Sequence, residues 1–293
     1  MSFTLDVKNE LVNINTDDIC CRRAMFAGII SFGGSIRKSD YIFSTENIAV
    51  AELITDLAAQ LFGLKTQITA KGSSYSLTVY GAESIFPMLG IYLDGLPGFH
   101  IPSAITSDCC LRAYARGAFI GGGSVMSPEK RYHLEFVTPH YSINNEFQKI
   151  FTHFDIPSKS LVRKSRYVTY FKDNEIICDV LAMIGAGNAV LEVSNTNIAK
   201  SLKNRDNRRI NCETANVVKT INAAVNQVVA IEKIKNTSGL SSLPPALEEL
   251  ARLRLKYHDL SLSEIANMMH PPLSKSGVNH RMRRIIKIAE GDD

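Results

Sequence analysis

Residues 18–36 read DICCRRAMFAGIISFGGSI, and residues 107–125 read SDCCLRAYARGAFIGGGSV. When Cys20 is aligned with Cys109, the two stretches share cysteines, an arginine and glycines at the same spacing. Recurrence of such residues at one offset indicates that the chain contains an internal duplication. The identical pairs are Cys20/Cys109, Cys21/Cys110, Arg23/Arg112, Ala24/Ala113, Gly28/Gly117, Gly33/Gly122, Gly34/Gly123 and Ser35/Ser124.

Each copy has the same predicted order of elements, as judged by hydrophobic periodicity and turn residues. After the motif helix, the segments of the first copy are 41–45, 48–62, 67–70, 76–80 and 82–89. Those of the second copy are 132–137, 143–154, 160–163, 167–171 and 174–184. The sequence therefore predicts an α+β domain made of two αββαββα repeats, at about 18–100 and 107–195.

Glycines inside the first helix of each repeat need an explanation, because a helical glycine costs about 1 kcal/mol relative to alanine. For Gly28 and Gly117 we favour close packing of the two motif helices against each other. The alternative is that the glycines only end a helix in a left-handed cap. We expect that simpler explanation to hold for Gly34 and Gly123.

The motifs FAGIISFGGSI and RGAFIGGGSV resemble the LAGLIDADG motif of homing endonucleases in a duplicated, single-chain arrangement. The resemblance implies that residues 18–195 adopt that fold. In it, two motif helices form a pseudo-twofold interface above a saddle-shaped sheet that lies on DNA.

The acids that the endonucleases need are missing from this sequence. In the family pattern, each motif helix supplies a carboxylate that holds a divalent metal for phosphodiester hydrolysis. Those degenerate positions are Gly33 and Gly122 here, and the next acids downstream are Asp40 and Glu129. We therefore predict no catalytic residue, no metal site and no cofactor. No zinc-type cysteine spacing is present either, so the six cysteines are interpreted as buried free thiols.

The C-terminal part predicts a separate helical module. Residues 236–245 have the composition of a linker, and Pro245 suits the first position of a helix that reaches about residue 257. Ser261 and Glu264 form a capping-box pattern that opens a second helix. Ser274 or Ser276 caps a third helix, which runs to about residue 289. This order predicts a helix-turn-helix at about 260–291.

The third helix has an apolar stripe on one face and a basic, polar surface on the rest. Short and bidentate donors near the start of such a helix suit base edges in the major groove, and the other cations suit phosphates. The alternative is a solvated basic face on a small helical bundle. The predicted DNA-binding residues are Lys275, Ser276, Asn279, His280, Arg281, Arg283, Arg284 and Lys287.

Two further basic stretches predict secondary contacts with nucleic acid. The net charge of the chain is only +4, so clustered cations are more informative than the total. The stretches supply Lys159, Arg163, Lys164 and Arg166 from a predicted strand pair, and Arg205, Arg208 and Arg209 from residues 200–219.

Composition excludes several other classes of protein. The 293 residues are 45% hydrophobic and 21% charged, which predicts folded domains. Uncharged runs such as 24–36 are shorter than the ~20 residues of a membrane-spanning helix. The N-terminus lacks the pattern of a secretory signal. We expect a cytoplasmic, nucleoid-associated protein without membrane contact.

The opening SFTLDVKNEL, PEKRYHLEF at 128–136, NRRINCETAN at 207–216 and the ending LSKSGVNHRMRRI together resemble the bacterial WhiA family. The resemblance implies a LAGLIDADG-like domain without nuclease activity at 1–198. It also implies a helical linker at 199–243 and an all-α helix-turn-helix domain at 244–293, similar to region 4 of sigma factors.

The resemblance further implies a transcription regulator with roles in sporulation, cell division or chromosome segregation in Gram-positive bacteria. The expected partners are double-stranded DNA and RNA polymerase or another transcription factor, and the oligomeric state stays open. Two other functions are the alternatives: an interaction scaffold for division or segregation with incidental DNA contact, and an active LAGLIDADG endonuclease, which is the weakest.

Overall fold

The structure is a computed structural model that describes residues 2–92 and 98–291. The chain divides into two compact units, residues 1–200 and 201–293. Each unit has its own hydrophobic core, so each is described separately.

The first unit begins with helix α1 (Phe3–Val12), which the sequence analysis did not predict. The Ser2 hydroxyl accepts a hydrogen bond from the Leu5 amide and caps the helix. Phe3, Val7 and Leu11 recur every four residues and are buried in the core of the unit. This spacing is the apolar stripe of an amphipathic helix.

The first repeat follows the predicted αββαββα order through its second strand pair, and it includes a short strand directly after the motif helix for which no segment was predicted. It contains α2 (Ile19–Phe32), β1 (Ser35–Arg37), β2 (Asp40–Thr45), α3 (Ile48–Phe62), β3 (Thr66–Lys71) and β4 (Ser74–Val79). The helix predicted at 82–89 is instead two short 3₁₀ turns, Ala82–Ile85 and Pro87–Leu89. Pro87 explains the difference, because proline lacks the amide that a continuous α-helix needs at that position. Strands β5 (Ile91–Tyr92) and β6 (Gly98–Phe99) then pair with each other.

The second repeat has the same order and ends in a true helix. It contains α4 (Asp108–Gly122), β7 (Gly123–Val125), β8 (Leu134–Thr138), α5 (Tyr141–His153), β9 (Lys159–Arg163), β10 (Arg166–Phe171) and α6 (Asn174–Ile184). The two four-stranded antiparallel sheets have matching orders, β1-β2-β4-β3 and β7-β8-β10-β9. This match confirms the predicted α+β architecture with a duplicated unit.

The motif helices α2 and α4 pack backbone against backbone, as predicted from Gly28 and Gly117. A Cβ atom on Gly28 would lie 2.2 Å from the carbonyl oxygen of Tyr114, and one on Gly117 would lie 2.0 Å from that of Met25. No side chain fits in such a gap, so glycine is required at both positions.

The predicted left-handed caps are half correct. Gly34 has φ +67°, in the left-handed region that favours glycine. Gly123 has φ −85°, so that prediction is wrong. Its glycine is required by space, because a Cβ there would lie 2.5 Å from the ring of Phe119.

The second unit consists of helices. It includes most of α7 (Gly187–Thr237), then a 3₁₀ turn (Leu240–Ser242), α8 (Pro245–Lys256), α9 (Leu262–Met268) and α10 (Lys275–Glu290). Its core joins the end of α7, through Ile231 and Ile234, to the three later helices. Among the described residues, no helix has both the length and the apolar composition needed to cross a membrane.

Candidate nucleic-acid interface

Helices α9 and α10 and the turn between them form the candidate interface. The Ser261 hydroxyl accepts from the Glu264 amide and the Glu264 carboxylate accepts from the Ser261 amide, which completes the predicted capping box. Ser274, one of the two predicted caps, accepts from the Gly277 amide and starts α10. The local sequence therefore fixes where each helix of the pair begins.

Contacts from the supporting helix and from α9 hold the turn at 269–274. The Leu273 amide donates to the carbonyl of Ala266 at 3.0 Å. The Glu249 carboxylate of α8 accepts from the His270 amide at 2.9 Å. These bonds satisfy two backbone amides of the turn, which would otherwise need water as their hydrogen-bond partner. The turn therefore has a defined conformation between the two helices.

Helix α10 separates its apolar and polar faces. Val278, Met282, Ile285 and Ala289 are buried in the core of the second unit, and Ile286 is half-buried. Because every third or fourth residue points inward, the side chains between them point away from the core.

The predicted DNA-binding side chains lie on this outer surface of α10. Lys275, Ser276, His280, Arg283, Arg284 and Lys287 are exposed, whereas Asn279 and Arg281 are half-buried. The Ser276 hydroxyl lies 3.0 Å from that of Ser274, at the first turn. The helix thus presents short polar groups near its N-terminus and four exposed cations along its length.

Arg254 of α8 is a residue that the sequence analysis missed. It is almost fully buried, and one of its guanidinium nitrogens donates to the carbonyl of Leu260 at 2.6 Å. Burial lowers the pKa of this guanidinium. Arg254 ties α8 to the loop that precedes α9, and its position on the same helical stripe as Leu247, Leu250 and Ala251 is the sequence signal that could have identified it.

The predicted basic strand pair, β9 and β10, lies in the first unit. Register places Lys159, Leu161 and Arg163 of β9 on one face, opposite Tyr170, Val168 and Arg166 of β10. The other face of the strand pair contacts α5, where Asn144 hydrogen-bonds to Ser160 and Thr169. Lys159, Arg163 and Arg166 therefore share the sheet face that points away from the helix.

Lys164 and Ser165 form the turn of this hairpin. Both have positive φ, +48° and +58°, and together they connect strands whose pairing ends at Arg163 and Arg166. Two consecutive positive φ angles are typical of a type I′ turn, which matches the twist of a tight hairpin. The exposed Lys164 therefore lies at the tip of the basic strand pair.

One of these cations is already paired. The Arg163 guanidinium lies 2.7 Å from the carboxylate of Glu135 on β8. Burial opposes ionisation of Glu135, but hydrogen bonds from Arg163 and His133 outweigh it and hold the pKa of the carboxyl below its ordinary value. Glu135 is far from the basic stretch in sequence, so the stretch itself gives no sign that one of its cations has an acidic partner.

The equivalent face of the other sheet is polar and carries Arg37, Asp40 and Lys71. Pairing places Ser44 with Ser76, Thr69 with Ser76, and Gln67 with Thr78 on that face. The second repeat therefore has more cations on this face, namely Lys159, Arg163 and Arg166, than the first repeat, which has Arg37 and Lys71.

The third predicted group, Arg205, Arg208 and Arg209, lies on α7 and is exposed. Their spacing places them on neighbouring positions of one helical face. Lys200, which opens the same basic stretch, is engaged with the first unit instead. Its ammonium donates to the carbonyl of Pro128 at 2.6 Å and lies 4.7 Å from the ring centre of Tyr132.

The two degenerate acid positions are closed to side chains. A Cβ on Gly33 would lie 2.3 Å from the ring of Phe43, and one on Gly122 would lie 2.5 Å from the carbonyl oxygens of Phe32 and Val137. Asp40 is engaged elsewhere, where its carboxylate accepts from the Gly81 amide at 2.9 Å. The ends of the motif helices therefore lack both the carboxylates and the space for them.

Burial also alters two titratable groups close to this apex. Lys8 of α1 donates to the carbonyl of Ile120, in the last turn of α4, at 2.9 Å, and burial lowers its pKa to about 8. His140 stacks on Phe99 with 3.4 Å between ring centres, and burial lowers its pKa to about 4. Neither residue belongs to a recognisable motif, so the sequence analysis did not select them.

A duplicated α+β domain whose motif helices lack the acids, together with a C-terminal helix-turn-helix, defines a LAGLIDADG-like protein with a nucleic-acid-binding type of module. Residues 22–92 and 111–203 match the WhiA LAGLIDADG-like domain, and residues 207–289 match the WhiA C-terminal HTH domain. The chain belongs to the WhiA family.

Full-length similarity extends to named relatives. The chain is 37% identical to Probable cell division protein WhiA of Alkaliphilus metalliredigens (strain QYMF), with 99% of this chain and 98% of the relative covered. It is 40% identical to the protein of the same name from Thermoanaerobacter sp. (strain X514), at the same coverage. The crystal structure of full-length WhiA from Thermatoga maritima superposes with a TM-score of 0.62 at 25% identity, covering 99% of both chains.

Proposed function

We propose that this chain is a DNA-binding protein without enzymatic activity that acts as a transcription regulator. The observation behind the proposal is the division of α10, whose apolar stripe is buried while Ser276, His280, Arg283 and Lys287 face outward. A helix of this form, placed second in a helix-turn-helix, is the element that enters the major groove in such proteins.

We assign different tasks to the three groups of residues. Ser276, Asn279, His280 and Arg283 read base edges, and the remaining cations of α10 bind phosphates. The basic strand pair and the arginines of α7 add phosphate contacts that strengthen binding without selecting a sequence. This scheme keeps the proposed division of the chain at 1–198, 199–243 and 244–293.

The absence of nuclease activity is part of the same proposal. Two-metal or one-metal hydrolysis needs carboxylates at the apex of the motif helices, and Gly33 and Gly122 leave no room for a side chain there. We infer that the LAGLIDADG-like domain has become a binding platform.

The cellular role follows from what the relatives are called. Because they are named as probable cell division proteins, we propose that this chain controls genes of division, chromosome segregation or sporulation in a Gram-positive bacterium. It would act in the cytoplasm on the nucleoid, with double-stranded DNA as its ligand and RNA polymerase or another transcription factor as its protein partner.

The experiment is a fluorescence-anisotropy titration of a labelled, mixed-sequence duplex of about 30 base pairs, three helical turns. The full chain should bind, and the Arg283→Ala/Arg284→Ala variant should bind at least about tenfold more weakly, since the loss of two cations weakens the electrostatic attraction that supplies nearly all binding to DNA without a specific site. The matched control, Lys233→Ala/Lys256→Ala, removes the same charge away from the proposed faces and should change affinity little. Equal affinity of wild type and the α10 variant would overturn the proposal.

A second function, an interaction scaffold, is favoured by one observation on α7. Ile221, Val225 and Val229 are apolar, spaced along one face, and about half exposed or more. An apolar stripe of this kind is typical of a surface that contacts another protein. Recovery of partners that survives nuclease treatment would support the scaffold, whereas recovery that nuclease abolishes would support the DNA-binding regulator.

A further inference from the structure

Four cysteines meet at the N-terminal ends of the two motif helices. Cys20 and Cys21 are the second and third residues of α2, and Cys109 and Cys110 are the second and third residues of α4. The duplication places the same pair in each repeat, and the packing of α2 against α4 brings the two pairs together. The interpretation of all six cysteines as buried thiols is wrong for Cys20 and Cys109, and also for Cys212, because these three are exposed.

Three of the sulfur atoms lie close enough together to bind one metal ion. The Sγ atoms of Cys20, Cys21 and Cys110 lie within 4.8 Å of one another, and those of Cys21 and Cys110 are 4.0 Å apart. Cys109 adjoins Cys110 in sequence, at the exposed edge of this group of three sulfurs, and its Sγ atom lies 3.2 Å from the Ser107 hydroxyl. A tetrahedral tetrathiolate site with bonds of about 2.3 Å has sulfur–sulfur edges of about 3.8 Å. Three of the sulfurs are close to this spacing, and rotation of the exposed Cys109 side chain away from Ser107 would supply the fourth ligand.

The surroundings suit a closed, anionic metal site. The helix backbones are held at fixed separation by Gly28 and Gly117, so the ends that carry the cysteines are rigidly placed. Cys21 and Cys110 are buried, while Cys20 and Cys109 are exposed and give an ion access from solvent. All four cysteines lie in the first turns of the two helices, and the N-terminal end of a helix stabilises negative charge.

A cavity and one arginine adjoin the cysteine cluster. Arg23 lines a cavity of about 370 Å³ together with Cys20 and Cys110. A guanidinium beside the cluster offsets the net negative charge that four thiolates keep after binding a divalent ion.

We propose that Cys20, Cys21, Cys109 and Cys110 form a tetrathiolate site for Zn²⁺ that joins the two repeats at the ends of their motif helices. Binding forms four Zn–S bonds and releases one proton from each thiol to solvent. Soft thiolate ligands in a tetrahedral arrangement favour zinc among the common divalent ions, and four protein ligands make the site structural.

This site is independent of the endonuclease metal positions. Those lie at the opposite ends of α2 and α4, at Gly33 and Gly122. Sequence spacing alone could not reveal a zinc site, because the ligands come from two repeats and each repeat contributes adjacent cysteines in place of a C-x-x-C pair.

The test is metal analysis of the full-length chain, purified under reducing conditions from medium that contains zinc. We expect about one bound zinc per chain, and loss of that zinc in Cys20→Ser/Cys109→Ser and in Cys21→Ser/Cys110→Ser. The control, Cys178→Ser/Cys212→Ser, removes two thiols outside the cluster and should keep the zinc. Titration of metal-stripped wild type with Co²⁺ should give the intense visible absorption of a tetrahedral cobalt–thiolate centre.

The cobalt spectrum uses the wild-type chain and therefore decides the matter even if a cysteine variant fails to fold. A strong chelator should also lower the thermal midpoint of the wild type and leave that of folded Cys20→Ser/Cys109→Ser unchanged. The proposal is overturned if the wild type contains no zinc above the buffer blank and gives no tetrahedral cobalt spectrum. It is equally overturned if the cysteine variants keep their zinc, or if peptide mass spectrometry of the reduced preparation finds these cysteines joined as disulfides.

Discussion

The carbonyl oxygen of Met25 occupies the place where a side chain on Gly117 would begin, since a Cβ there would lie only 2.0 Å from it. The same relationship holds across the pseudo-twofold between Gly28 and Tyr114, at 2.2 Å. Contact between two helix backbones leaves no flexible group that could move aside. The packing of the two repeats therefore requires glycine, which has no Cβ atom, at positions 28 and 117.

Replacing Gly117 by alanine should destabilise the first unit by at least about 2 kcal/mol, because the clash with backbone outweighs the ~1 kcal/mol that alanine gains as a helix former. Urea unfolding followed by circular dichroism measures this difference. The control is Gly187→Ala, where the nearest atom lies 4.0 Å from the new Cβ. If Gly117→Ala were as stable as Gly187→Ala, the close approach of α2 and α4 would be wrong.

Restoring the acids should not restore a nuclease. Gly33→Asp/Gly122→Asp would force each Cβ to within 2.5 Å or less of Phe43 or of the Phe32 and Val137 carbonyls. We expect an unstable protein and no plasmid nicking, either in this variant or in the wild type, with Mg²⁺ or Mn²⁺ present. Cleavage by the wild type that disappears on chelation would contradict the interpretation of Gly33 and Gly122.

The basic strand pair should contribute to the salt dependence of DNA binding. If Lys159 and Arg166 each neutralise one phosphate, Lys159→Ala/Arg166→Ala should make the slope of log affinity against log salt shallower by about two. Arg163→Ala should change the slope less than Lys159→Ala or Arg166→Ala alone, because Arg163 already pairs with Glu135 at 2.7 Å. Anisotropy titrations at several salt concentrations measure the slopes. Identical slopes in the wild type and all variants would show that the basic strand pair does not contact DNA.

Stability should depend on pH through His140. Its pKa is lowered from 6.5 to about 4 by burial, so the unfolded chain takes up a proton below pH 6.5 that the folded chain refuses until about pH 4. The free energy of unfolding therefore falls as the pH is lowered through this window and levels off below it. The change is measured by urea unfolding at several pH values. His140→Phe keeps a ring against Phe99 and should have a shallower pH dependence; an unchanged dependence would show that His140 is solvated.

The sequence predicted those parts of the fold whose signal is local or repeated. Helix α3 was predicted with its observed bounds, because its apolar periodicity ends at a glycine, Gly63, with φ +65°. The duplication was sufficient to predict the pairing of α2 with α4, because two equivalent glycine-containing helices are natural partners. Helix α1 carried an equally clear pattern at Phe3, Val7 and Leu11, and the capping serine before it, and it could have been predicted.

Other features depend on tertiary contacts that no local pattern encodes. Gly123 resembles a helix cap by its position, yet its role is set by the ring of Phe119 against it. The pairing of Glu135 with Arg163 spans three strands, and the hydrogen bond that Arg254 donates depends on the loop at Leu260. The outward-facing residues of α10 were predictable because the inward stripe defines them, whereas the meeting of four cysteines required the packing of two repeats.

We propose that α10 directs this protein to particular DNA sequences, and chromosome-wide mapping of cross-linked DNA is the sharpest test of this role. The wild type should be recovered at discrete sites that share a sequence, and the His280→Ala/Arg283→Ala variant, expressed at the same level, should lose those sites. Uniform recovery of DNA by the wild type, or the same set of sites for the variant, would contradict the account.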